Sequence, residues 1–314
     1  MNTSQIEMIN IESLVPEKHT YRKLKSLVNF KWMVKAAKIE ESKAGAIGYT
    51  SERLVMCLIL QFMEDASDRV FERFMSENIA GKWFCDFGIS EKTPDYTTFC
   101  KFRNMLGQKK IQKLFNELRR QLKNKGYMAE VFTFVDATAL ISRLSMWEER
   151  DEAIKAGYEK LNNETIEEFS ADPEVRIGSN GRNKFWFGFK KHLSVDMGSG
   201  MINKVSVTKA NVPESKAVSE VLPSQGAVCG DKGFVGAIDT IEKAGLHSMI
   251  ILKDNMKEKN RDKDRFLSKL RAPFEGVFSK QQKRVRYQGV EKNQAAELLY
   301  AMAFNMRRLI AITP

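Results

Sequence analysis

Val131-Phe132-Thr133-Phe134-Val135-Asp136 is a run of β-branched and aromatic residues that ends on a carboxylate. Such residues fit a pleated, half-buried surface and predict a strand. A charge closing an otherwise apolar strand needs a reason, and the end of a strand is where a sheet presents side chains to a site. Lys184–Val195 and Met201–Val207 read as two further strands. Asp196-Met197-Gly198-Ser199-Gly200 joins them as a hairpin turn. Ala227-Val228-Cys229 is a short apolar strand that runs into Gly230 and a second carboxylate, Asp231. A helix is expected near Ala237–Ala244, a strand at Met249–Leu252, helical sequence from Leu267, and a closing helix over Ala295–Leu309.

Between the first strand and the hairpin lies Ser142–Asn183, whose residues 146–170 hold eight acids against three basic residues. This stretch reads as an acidic insertion. Met146, Ile154 and Leu161 stand at near-helical intervals, a loop falls at Asp172-Pro173, and the basic Arg176, Arg182 and Lys184 follow.

Working the other way from Val131, the texture is helical. Ser51 is expected to cap an apolar helix over Leu54–Met63, and Ser67 one with Val70, Phe71 and Phe74 on one face. Thr93-Pro94 places a cap before proline at the first helical position, so Asp95 to about Met105 should form a third. Ile111, Leu114, Phe115, Leu118 and Leu122 keep the 3.6-residue period of a fourth, ended by Gly126. The expected organisation is a helical domain over 1–128 and an α/β domain over 129–314, the latter carrying the insertion at about 142–183.

The 314 residues exceed the usual single domain, and a hydrophobic fraction of 43% is enough for a core. No eighteen-residue apolar run occurs, and Met1–Asn10 lacks the pattern of a secretory signal, so neither a membrane span nor export is expected. Cys57, Cys85, Cys100 and Cys229 lack metal-ligand spacing and read as reduced, mostly buried thiols. The net charge of +11 is uneven: residues 101–125 carry nine Lys/Arg against one acid, and residues 251–314 fifteen against seven. Two basic blocks suit a polyanion touching the protein at two places, although solvated helix faces account for charge alone equally well.

A third acid, Glu275, sits among cations in Arg271-Ala272-Pro273-Phe274-Glu275-Gly276-Val277-Phe278. Three carboxylates suit two Mg²⁺ or Mn²⁺ ions about 4 Å apart, the arrangement that activates a nucleophile and stabilises a leaving oxygen in phosphoryl transfer. Strand-end caps and a surface salt bridge would explain the same acids.

Nine blocks in order carry a resemblance to a known family. They include Asp65-Ala66-Ser67-Asp68-Arg69, Trp83-Phe84-Cys85, Pro94-Asp95-Tyr96-Thr97-Thr98, Phe102-Arg103 and Phe134-Val135-Asp136-Ala137-Thr138. Further along come Gly188-Phe189-Lys190-Lys191-His192-Leu193-Ser194-Val195-Asp196, Thr208-Lys209-Ala210-Asn211-Val212-Pro213, Gly230-Asp231-Lys232-Gly233-Phe234 and Val285-Arg286-Tyr287-Gln288-Gly289-Val290-Glu291-Lys292-Asn293. Over roughly residues 45–310 the sequence resembles the DDE transposases of bacterial insertion sequences. The nearest likeness is to the insertion-sequence-five group of the insertion-sequence-four-like superfamily.

That resemblance implies an α/β fold like that of ribonuclease H, a mixed five-stranded sheet with flanking helices, preceded by an all-α DNA-binding domain. It implies metal-dependent DNA cleavage and strand transfer, with Asp136, Asp231 and Glu275 as the catalytic, metal-holding triad and Mg²⁺ or Mn²⁺, two ions, as cofactor. Implied partners are double-stranded DNA, as terminal inverted repeats and target, and further copies of the chain. The implied place is the bacterial cytoplasm, at the nucleoid. Tyr96, Lys101 and Arg103 on one side, and Arg271, Lys283, Arg284, Arg286 and Lys292 on the other, are the expected DNA contacts. Two positions depart from the family's Y-x₂-R-x₃-E-x₆-K block. Ser268 replaces its Tyr and Gln282 its Lys, with Lys280 and Lys283 nearby; on a helix Lys283 is turned by about 100°. His192 reads as structural or a phosphate contact, Asp196 as a turn former, Trp83 and Trp186 as core, and Lys232 as a phosphate neighbour or a plain surface cation. Readings of another class are a DNA-binding remnant without catalysis and a nuclease without strand transfer.

Overall fold

The computed structural model describes residues 9–40, 48–142, 152, 154–156, 163–179, 185–253, 255–256, 260–279 and 282–313. They divide into two units: 1–121 with 302–314, and 122–301.

Side-chain caps set the helices of the first unit. These are α1 (Ile11–Leu14), α2 (Thr20–Leu27), α3 (Phe30–Ala36), α4 (Ser51–Met63), α5 (Asp68–Glu77), α6 (Ile79–Phe84) and α7 (Tyr96–Asn124), which runs on past the unit's end. The first three are short and start from the caps Asn10, His19 and Asn29. Thr50, one residue before the expected Ser51, caps α4, whose Leu54–Met63 stretch is buried throughout. Ser67 caps α5 as expected, yet Val70 is 47% exposed while Phe71 is buried, so the apolar face is narrower than its spacing implied. Asp95 takes the place expected of Thr93: its carboxylate accepts from Thr98 N at 2.7 Å, and α7 begins at Tyr96. The two helices expected over 95–122 are both present within α7, one on each side of a kink at Gly107 (φ 58°, ψ −179°), a conformation a side chain would strain.

The second unit is built on a mixed sheet. Among the described residues it has six strands: β1 (Phe132–Ile141), β2 (Arg176–Ser179), β3 (Phe185–Asp196), β4 (Ile202–Lys209), β5 (Ala227–Gly230) and β6 (His247–Ile250). β1 lies antiparallel to β3 and parallel to β5, and β5 parallel to β6. β2 and β4 follow one another along the far edge of β3, so the strands fill five positions. This is the ribonuclease H-like mixed arrangement, with β2 added. β1 runs five residues past Asp136, which is therefore mid-strand rather than terminal. β2 also corrects the reading of 142–183 as wholly inserted, since Arg176–Ser179 joins the sheet. Gly188 (φ 149°) sits where β3 presses on the end of β1, and a Cβ there would strike the backbone of Leu140 and Ser142.

Helices α8 (Ile166–Phe169), α9 (Glu214–Val221), α10 (Ile238–Lys243), α11 (Arg261–Ser279) and α12 (Val290–Ile312) complete the described elements, with a 3-10 turn over Lys232–Ala237. One core gathers Val135, Val218, Val221, Val228, Phe234 and Ile250; another joins Leu140, Phe189 and Val207 to Ile166, Val175 and Val285. Ile166, from the acidic stretch, is thus core, whereas Ile154 is half exposed. Met146, Leu161, Arg182 and Lys184 lie outside the described residues. The start of α12 is tied down by acids before β2: Asp172 accepts from Gly289 N (2.8 Å) and Glu174 from Val290 N (2.9 Å). Gln294 mimics a strand at the free edge of β4, accepting from Val207 N (2.6 Å) and donating to Val205 O (3.0 Å).

Candidate active site

Parallel pairing brings the two aspartates level. Phe134 is in register with Cys229, and two residues further on each chain stand Asp136 and Asp231. Neighbouring strands run about 4.8 Å apart, so the two carboxylates leave adjacent backbones at one height. Both residues are half-buried. Asp136 Oδ1 accepts from Ala137 N (2.8 Å). Asp231 closes β5 and caps the 3-10 turn, its Oδ1 accepting from Gly233 N (2.8 Å). Glu275 lies on α11, the helix that packs against β1. The side chains of Glu275 and Arg271 lie outside the described residues. Carboxylate oxygens are the donors a hard divalent cation takes, so the residues at this rim fit such a cation. Among the described residues, no three acids, histidines or cysteines form a ready metal cluster.

A further acid stands beside Asp231. Glu214, in the first turn of α9, has its carboxyl pushed up by burial, opposed by Lys190 and reinforced by Asp231. Its Oε2 and Asp231 Oδ1 lie 2.5 and 3.0 Å from the point a Gly233 Cβ would occupy. Glu214 has no distinguishing signal in sequence, because an acid just inside a helix ordinarily complements the dipole.

The expected DNA contacts fall into two kinds. Tyr96 opens α7 with the Arg69 guanidinium 4.4 Å from its ring centre, and Lys101 is exposed on the same helix. Lys283, Arg284 and Lys292 are exposed, while Arg286 is half-buried with its guanidinium 5.5 Å from the Tyr300 ring centre. Arg103 is different. It is buried and grips Asp68 with both terminal nitrogens, at 2.9 and 2.8 Å, so its placement corrects the expectation of a DNA contact.

His192 is fully buried, bonded through Nε2 to Thr208 (2.9 Å). Burial, aided by the charge of Lys190, holds it down at about 3, so the ring is neutral and structural. Asp196 shapes its turn by accepting from Ser199 and from Glu130 N. Trp186 is half-buried, its Nε1 bonded to Phe189 O. Trp83 is no core residue but a half-buried clamp, with Arg22 and Lys25 over its ring. Lys232 is exposed. The cysteines are free thiols, three of the four buried.

A mixed sheet with β4-β3-β1-β5-β6 across it, β1 antiparallel to β3 and parallel to β5, and a helix packed on β1, defines a ribonuclease H-like scaffold. Residues 9–105 match the family described as Transposase domain (DUF772), and residues 166–306 match the Transposase DDE domain. Together the two spans take in most of the chain, which belongs to the DDE transposases of insertion sequences. Asp231 and Glu275 fall inside the DDE match, and Asp136 lies between the two spans. Among solved structures, the chain is similar to one described as a piggyBac transposase synaptic complex with hairpin DNA. The identity is 11% over 77% of this chain and 52% of that one, with a TM-score of 0.30. The chain thus spans about half the length of that transposase.

Proposed function

We propose that this chain binds the ends of its insertion element and cuts and rejoins DNA there, with Asp136, Asp231 and Glu275 holding divalent cations. The observation that carries the reading is the parallel pairing of β1 with β5, whose last couple, Phe134 and Cys229, stands two residues before Asp136 and Asp231, with α11 packed on β1. Two Mg²⁺ or Mn²⁺ ions would supply activation of the attacking oxygen and stabilisation of the leaving 3′ oxygen. The carboxylates orient the scissile phosphate and fix where charge is neutralised. Water attacks the phosphorus at the element end and the bond to the 3′ oxygen breaks. The freed 3′-OH then attacks a target phosphodiester in the same geometry, forming a bond to its phosphorus while the bond to the target's 3′ oxygen breaks and that oxygen leaves as a 3′-OH. Tyr96 and Lys101 contact end DNA, as do Arg271, Lys283, Arg284, Arg286 and Lys292 around the site; Arg103 is left out because Asp68 engages its guanidinium.

The motif blocks support membership of the insertion-sequence-five group, action on terminal inverted repeats and target as an oligomer, and a place at the bacterial nucleoid. Among the described residues, no helix is long and apolar enough to cross a membrane. The test uses a donor plasmid carrying the inverted repeats that flank the gene. Asp136→Asn, Asp231→Asn and Glu275→Gln are each expected to abolish cleavage in Mg²⁺ while leaving end binding within a few-fold. Wild-type turnover by any one of them removes that residue from the site.

A further inference from the structure

The chain leaving α11 is held by a charged side chain that the proposed chemistry does not use. Lys191 lies on β3 opposite Thr138, and alternation along β1 puts it on the same face as Asp136. It is 0% exposed, and its Nζ donates to Glu297 Oε2 on α12 (2.7 Å) and to the backbone carbonyl of Gln282 (2.9 Å). Gln282 stands three residues beyond the end of α11. Next to it, Lys283 O accepts from Ile141 N (2.7 Å) and Val285 N donates to Ile141 O (2.9 Å), so the same segment is stitched to the end of β1.

Stability alone does not explain a lysine here. An ion pair buried this deeply usually stabilises no better than apolar side chains of similar size. Burial also pushes Glu297 up against the opposing pull of Lys191. A methionine and a leucine would hold α12 to the sheet by packing. What they would lose is the grip on the Gln282 carbonyl, which needs a donor.

The geometry points to Lys191, oriented by Glu297, as a positioning residue that fixes the exit of α11 and hence the height of Glu275 along β1. This rests on the reading of Glu275 as the third carboxylate. Glu275 precedes Gln282 by seven residues, and half a turn of helix slip would move it by about 2.7 Å. Metal-ligand distances tolerate only about 0.2 Å.

The test is the full-length double variant Lys191→Met/Glu297→Leu, with Lys191→Arg beside it. Hydrogen exchange without metal is expected to quicken over 261–285 in the double variant, with β3 and β4 unchanged. Mn²⁺ titration followed by electron paramagnetic resonance should show half-saturation raised by about tenfold or more. Lys191→Arg, which keeps the donors, should stay close to wild type in both. Should the double variant fail to fold, Glu297→Gln keeps the shape and gives the same readouts in smaller degree. Unchanged exchange over 261–285 in a folded variant overturns the inference. Mn²⁺ affinity unaffected by Glu275→Gln instead overturns the carboxylate reading, and the exchange result still decides whether Lys191 holds α11.

Discussion

Replacing Arg103 by Met separates a structural role from a DNA contact. The guanidinium makes two charge-assisted hydrogen bonds to Asp68, at 2.9 and 2.8 Å, and Asp68 also accepts from Gln61 (2.6 Å). Arg103 therefore joins α7 to the first residue of α5 and, through Gln61, to α4. Breaking a fully buried pair costs about 3–5 kcal/mol, whereas an exposed pair is worth about 1 kcal/mol or less. The Asp68 side chain is 24% exposed and keeps both Gln61 and the favourable end of a helix dipole. The expected loss falls between those limits, at about 2 kcal/mol, which for a unit of this size lowers the melting temperature by about 4–8 °C. Adding Asp68→Asn should recover part of it, because the stranded charge is then gone. Melting followed by circular dichroism, with end-DNA anisotropy measured well below the transition, checks both halves. An unchanged melt combined with lost end binding would refute the argument and return Arg103 to the DNA.

Other outcomes follow from single contacts. His192 is held neutral at about 3 by burial and by Lys190, while the unfolded ring protonates near its ordinary value; stability should fall as pH drops from about 6.5 towards 3, and His192→Gln should flatten that limb in urea melts. Burial pushes Glu130 up, but hydrogen bonds from Lys123 and Ser224 outweigh it and hold it at about 2, so its contribution is complete above about 4.5 and lost as pH falls towards 2. Glu130→Gln should therefore reduce the neutral-pH stability and remove that acid dependence. Ile166→Ala, at a fully buried position, should cost about 2–5 kcal/mol in chemical unfolding with end affinity unchanged, and equal loss of affinity in a stable protein would give the acidic stretch a recognition role. Lys283→Ala and Arg284→Ala should each lower the salt slope of DNA binding by about one, as for a lost phosphate contact.

Much of this fold can be read from periodicity where turn residues bound the strands. β3, β4 and β5 lie where their residues put them, as does the start of β1, and Gly230-Asp231 marks the rim of the sheet. What periodicity missed was short or shared. β2 has four residues, including a glycine, and becomes a strand only by pairing with β3. The end of β1 was hidden because Ala137–Ile141 has no turn residue to stop it and gains its pairing from Gly188–His192. In the candidate site, the aspartates stood out as charges in apolar surroundings. Glu214 did not, being ordinary for a helix start, and Arg103 misled because burial by a partner 35 residues away leaves no local trace.

Helix α12 belongs to both units, since residues 302–314 group with 1–121 while its start grips the sheet. Met302, Ala303, Met306 and Leu309 are buried in it, and Lys23 donates to the Thr313 carbonyl. During synthesis domains ordinarily finish in order from the N-terminus. Here the helical unit lacks part of its interior until residues 302–314 have cleared the ribosome, some two hundred residues after the rest of that unit. A nascent or prematurely stopped chain therefore carries the sequence of that unit without its completed surface.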